Sequence, residues 1–64
     1  MLTVEQIVKG NLNLDRPRDL DALGRQMPGI DREQLRQVLR ELKRRGEVRE
    51  TARGYLRGGR DNHA

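Results

Sequence analysis

The chain of 64 residues has no cysteine, no phenylalanine and no tryptophan, and it holds a single tyrosine and a single histidine. Each shortage removes a class of protein. Without cysteine, neither a disulfide framework nor a thiolate zinc site can hold so short a chain together. His63 lies next to the C-terminal residue with no second ligand near it, so no metal site is expected. With Tyr55 as the sole aromatic, a stacking platform for single-stranded bases is nearly excluded. No apolar run approaches the roughly 20 residues that span a bilayer. The first residues also lack the basic-then-apolar order of a signal peptide.

The inventory for catalysis is equally thin. A nucleophile needs an adjacent base and a third, orienting group; here there is no thiol and only a near-terminal imidazole. Asp15, Asp19 and Asp21 could be drawn as a metal cluster. Asp19 and Asp21, however, stand two apart at a helix start and point to different faces, so capping and dipole roles account for them better. Gly58-Gly59 follows no strand-to-helix turn and is no phosphate loop. No enzyme activity and no cofactor are expected.

Arginine is what the chain does have. Lys and Arg number 14 against 10 Asp and Glu, for a net charge of +4. Residues 1–24 balance close to neutral, at −1, whereas residues 25–64 carry +5. One domain with an Arg-rich second part suggests an anionic partner, of which nucleic acid is the commonest. A chain this short buries only about 60% of its unfolded surface, so its stability should be marginal.

Local signals divide the chain into short elements. Thr3 and Gln6 have the spacing of a capping box, and Leu2 with Ile7 that of a hydrophobic staple. Ile7 and Val8 then give a buried stripe, ended near Gly10-Asn11. Asn11 to Leu14 alternates polar and apolar, the period of a short strand, ended by Pro17. A second helix starts near Arg18 or Asp19 with Leu20, Leu23 and Met27 on one side, and Pro28-Gly29 breaks it. The third helix is the clearest. Asp31 caps it with Gln34 as a box-like partner, Leu35, Val38, Leu39 and Leu42 share one face, and Gly46 stops it. Residues 47–57 then read as a hairpin turning at Ala52-Arg53-Gly54, and residues 58–64 as a disordered tail.

The expected fold class is therefore α+β and mainly α, in the order helix, short strand, helix, turn, helix, hairpin. That order resembles a winged helix-turn-helix domain over residues 2–57. The resemblance is carried by Leu20, Leu23, Met27-Pro28-Gly29-Ile30, Leu35, Val38-Leu39, Leu42, Gly46 and Val48. The Arg53-Gly54-Tyr55 turn is similar to wing tips of that class. The pattern also looks like the winged-helix module at the N-terminus of bacterial ribonuclease R, so the class alone does not choose DNA over RNA. In the compact helix-turn-helix signature a small residue stands four positions before the turn glycine; here that position holds Arg25. The docking of phage-repressor types should therefore not be copied.

The third helix turns Glu33, Gln37, Arg40 and Arg44 away from its leucines, with Arg36 on one flank and Arg32 and Lys43 near the boundary. An arginine fork matches the two acceptors of guanine, and a Gln amide can both donate to and accept from adenine. The resemblance places the start of this helix in a major groove, so Arg32, Arg36 and Gln37 are expected at bases, with Arg40 and Arg44 shared between bases and phosphate. Arg53 at the hairpin tip, flanked by Arg49 and Arg57, is expected at the backbone or minor groove, and Arg60 at a phosphate. Plainer readings compete. Arg-rich outer faces are often only solvated, and Glu33 or Glu41 can pair with arginines a turn away. Arg53 could serve only to keep an exposed turn soluble, and Tyr55 reads better as a half-buried hairpin residue than as a base stacker.

The leading expectation is a small transcriptional regulator on double-stranded DNA, needing a homodimer or a second protein for useful specificity. The alternatives are a phage or plasmid accessory protein docking on an acidic host surface, and a binder of structured RNA. No membrane partner is expected. The location expected is cytoplasmic, in a prokaryotic cell and associated with the nucleoid; Met1 and the polar end read as a complete gene product.

Overall fold

Thr3 starts the first helix as its spacing requires. Its hydroxyl accepts from the Gln6 N–H at 3.1 Å, and the Gln6 side chain accepts from the Thr3 N–H at 2.9 Å. Both ends of this reciprocal cap relieve backbone donors that a helix start leaves orphaned. The computed structural model, which describes residues 2–58, has α1 at Val4–Gly10, α2 at Leu20–Gln26 and α3 at Arg32–Arg44. They are followed by β1 at Val48–Thr51 and β2 at Gly54–Arg57. The protein is thus a small, mainly helical α+β chain with one two-stranded antiparallel sheet. Among the described residues, no helix is long and apolar enough to cross a membrane.

The leucine face of α3 organises the core. Leu35, Leu39 and Leu42 are buried against Val8, Leu12, Leu23, Met27 and Val48, so every helix and the first strand contribute to one cluster. Burying each such leucine contributes about 1.5–3 kcal/mol. Tyr55 packs half-buried against this cluster, as a hairpin residue rather than an open stacking face. Leu2, by contrast, is 67% exposed, so the expected staple with Ile7 covers little.

The ends of α3 are set locally. Asp31 caps it, but its carboxylate accepts from the Glu33 N–H at 3.1 Å. Gln34 does not close a box with Asp31: the cap bonds Glu33 instead, and the Gln34 side chain makes no return bond to the Asp31 N–H. At the other end, the Gly46 N–H bonds the Lys43 carbonyl and the Glu47 N–H bonds the Leu42 carbonyl. This pair of bonds turns the chain back over the helix end and requires a left-handed residue. Gly46, at φ 81°, supplies it.

The expected short strand at Asn11 to Leu14 is not formed. Leu12 is buried while Leu14 is 62% exposed, so the two do not share a face. The chain bends through residues 14–16 and meets the sheet later, at a single bridge between Arg18 and Tyr55. The Arg18 and Tyr55 backbones exchange bonds of 3.0 and 2.8 Å, and the Arg57 N–H reaches the Asn13 carbonyl at 2.8 Å. The outer edge of β2 is thereby covered, but by an irregular segment, because Pro17 has no N–H to extend a ladder. The tail boundary also moves: Gly58 is buried and donates to the Glu47 carbonyl at 2.8 Å. The expectations for Arg60, His63 and the rest of the tail lie outside the described residues.

Candidate nucleic-acid interface

The outer face of α3 and the hairpin both carry exposed arginines, Arg36 and Arg40 on the helix and Arg49 and Arg53 on the hairpin. β1 and β2 pair in the register Val48↔Arg57, Arg49↔Leu56, Glu50↔Tyr55 and Thr51↔Gly54. That register puts Ala52 and Arg53 at the tip. Thr51 braces the tip: its hydroxyl accepts from the Arg53 N–H at 3.1 Å and donates to the Gly54 carbonyl at 3.0 Å. The hairpin leans toward α3 through Lys43, whose ammonium bonds Glu50 at 2.8 Å. Between them lies a crease lined by Arg36, Leu39, Arg40, Lys43, Glu50 and Tyr55.

Among the described residues, the eight arginine and glutamine positions expected to bind nucleic acid are all exposed, yet they fall into two groups. Arg36, Gln37, Arg40, Arg49 and Arg53 have no side-chain hydrogen bond or ion pair among the described residues. Arg32, Arg44 and Arg57 are engaged. Arg32 bonds Asp21 at 2.5 Å, tying the start of α3 to α2. Arg44 bonds Glu41 at 2.8 Å within its own helix. Arg57 turns away from the tip and donates through Nε and an Nη to the Lys9 carbonyl, at 3.2 and 3.0 Å. There it closes the C-terminal end of α1, whose last carbonyls lack helical partners.

The titrating groups follow these contacts. The hydrogen bond from Arg44 holds the Glu41 carboxyl below its ordinary 4.5, and the bond to Glu50 lifts the Lys43 ammonium above its ordinary 10.5. The bond from Lys9 likewise holds Glu47 below 4.5. Every one of these groups is charged at neutral pH. The crease therefore carries one carboxylate, Glu50, against three cations.

Sequence reasoning passed over Arg16 and Arg18. The Arg18–Tyr55 bridge draws both up to the hairpin turn, where they line a cleft with Arg53. No local pattern announces this, since the pairing joins residues far apart in the chain. Among the described residues, no group of three or more His, Asp or Glu is placed to hold a metal ion. No protein-family model, no curated protein and no solved structure matches this chain.

Proposed function

We propose that this protein is a winged-helix DNA-binding regulator that reads the major groove with the outer face of α3. The hairpin turn meets the backbone or minor groove. One observation carries this reading: Arg36, Gln37 and Arg40 stand exposed and unpaired on the side of α3 away from its leucines, beside a hairpin that ends in Arg53. None of the three makes an ion pair or a side-chain hydrogen bond among the described residues, so each can turn to an outside partner without breaking a contact of the fold. Arginine forks and a glutamine amide are also the groups that discriminate base pairs, each good bidentate contact being worth about 1–3 kcal/mol against a wrong base.

The ion pairs refine which residues read sequence. Arg32 is committed to Asp21 and Arg44 to Glu41, so base contacts fall to Arg36, Gln37 and Arg40. The winged-helix reading rests on the order of three helices and a hairpin, with residues 13–18 in the place of the extra strand.

The test is a binding titration of the full chain with random duplex DNA, single strands and structured RNA at two salt concentrations. Duplex binding that weakens steeply with salt is the expected result. Arg36→Ala and Gln37→Ala should relax sequence preference, whereas Arg53→Ala should weaken all duplexes alike. Absence of binding to all three nucleic acids at low salt would overturn the reading and favour docking on an acidic protein surface.

A further inference from the structure

The hairpin turn approaches the start of α2 across a cleft lined by Arg16, Pro17, Arg18, Asp19, Ala22 and Arg53. Gly54 makes the approach feasible. Its φ is 141°, and a Cβ there would stand 2.5 Å from the Arg18 carbonyl carbon and oxygen and 2.7 Å from the Asp19 nitrogen. Only a residue without a side chain lets the turn lie so close, and that closeness brings Arg53 into one cleft with Arg16.

Three arginines face one carboxylate in this cleft. Arg16 and Arg53 are exposed and make no ion pair among the described residues. The Arg18 Nε is buried with no hydrogen-bond acceptor. The acid, Asp19, directs an oxygen onto the Ala22 N–H at 2.8 Å, as the cap of α2. Gathering like charges and leaving a buried donor unmet both cost free energy. An oxyanion in the cleft would offset the crowding of like charge, and guanidinium forks match phosphate oxygens better than any other side chain.

We propose that this cleft is a phosphate-binding site, filled by a backbone phosphodiester when the protein sits on duplex DNA. Naming DNA as the source of the phosphate rests on the function proposed above; the cleft's affinity for phosphate does not. The site would clamp the duplex from beside the wing tip and fix how deeply α3 enters the groove. It would carry no sequence information, because phosphates are the same at every step.

Two measurements on the full chain test it. In the first, fluorescence anisotropy with a labelled duplex over a series of salt concentrations compares wild type, R16A/R53A, R16K/R53K and R36A/Q37A. R16A/R53A should bind every duplex about tenfold more weakly, with a log–log salt slope smaller by about 2. R16K/R53K should keep the slope and recover only part of the affinity, since an ammonium lacks the fork. In the second, thermal melts compare pyrophosphate with chloride at matched ionic strength; wild type should be stabilised and R16A/R53A not. All of these positions are exposed, and circular dichroism confirms that each variant is folded. Equal behaviour of wild type and R16A/R53A in both measurements overturns the site, even if duplex binding is strong. Failure of wild type to bind any duplex overturns the proposed function, and a pyrophosphate response confined to wild type then still supports the cleft as a site for a free phosphate compound.

Discussion

Two regions of this molecule use the same guanidinium group in opposite ways. At the α1 end, Arg45 reaches Glu5 at 2.6 Å, Glu41 at 3.5 Å and Glu47 at 3.7 Å, while Lys9 bonds Glu47 at 2.7 Å. Arg57 closes the end of α1 beside them. Along the outer face of α3 and the hairpin turn, Arg36, Arg40, Arg49 and Arg53 have no partner of this kind among the described residues. Each region carries several bases, but at the α1 end Lys9, Arg45 and Arg57 stand among as many acids, Glu5, Glu41 and Glu47. What separates them is the placement of acids, and it divides arginines held by the fold's own acids from arginines that have no ion pair among the described residues. Total charge makes no such division.

The sharpest way to break this arrangement is at the hairpin. Gly54→Ala forces a side chain into the Arg18 backbone at a φ that L-residues avoid, which should lower stability by roughly 2–4 kcal/mol. Urea denaturation measures it, and an unchanged midpoint would mean that the turn is not locked against residues 16–19. Next in size, Arg36→Ala with Arg40→Ala should weaken duplex binding by roughly 10- to 100-fold while leaving the melting temperature unmoved. A matching loss of stability would show these side chains belong to the fold after all. Arg45→Ala inverts that result. It should lower the melting temperature by a few degrees, more at low salt than at high, with duplex affinity unchanged, because three acids lose their shared cation.

The smallest effect separates the regions by pH. Glu47 and Glu41 have native pKa values below 4.5, so their contribution is complete above that pH and is lost as the pH falls through the depressed values. Lys43 has a native pKa above 10.5, so its contribution is complete below that pH and is lost as the pH rises through the raised value. Melting temperatures should thus decline on the acid side from loosening of the α1 end and on the alkaline side from loosening of the crease. Lys9→Met removes the main cause of the Glu47 depression and should flatten the acid limb alone.

How much of this was readable in advance depends on the distance over which each feature is decided. The three helices and the hairpin turn are legible, since Thr3, Asp19, Asp31 and Gly46 act on backbone groups within a few residues. The leucine face of α3 is legible for the same reason, its period matching the helix. Residues 11–14 are not. An alternating pattern names a strand only if a partner edge lies straight beside it; here the segment touches that edge at one bond, from the Arg57 N–H to the Asn13 carbonyl, and bridges it only at Arg18. The candidate site is split likewise. That Arg36, Gln37 and Arg40 point outward follows from their spacing against the leucines. That Arg32 is held by Asp21, that Arg57 leaves the wing for α1, and that Arg16 and Arg18 join Arg53 follows from nothing nearby.

The amino-acid order alone settled where helices begin and end, which faces are apolar, and that positive charge gathers after residue 24, because caps, periodicity and composition act over less than two helical turns. Arg44 and Arg45 meet Glu41 within a turn, but only the packed chain decided which bases find partners elsewhere. Arg32 and Asp21 lie 11 residues apart and Lys9 and Glu47 38, and Arg57 reaches the Lys9 backbone carbonyl across 48. Contacts at such separations exist only after the hydrophobic cluster has brought the helices and the hairpin together.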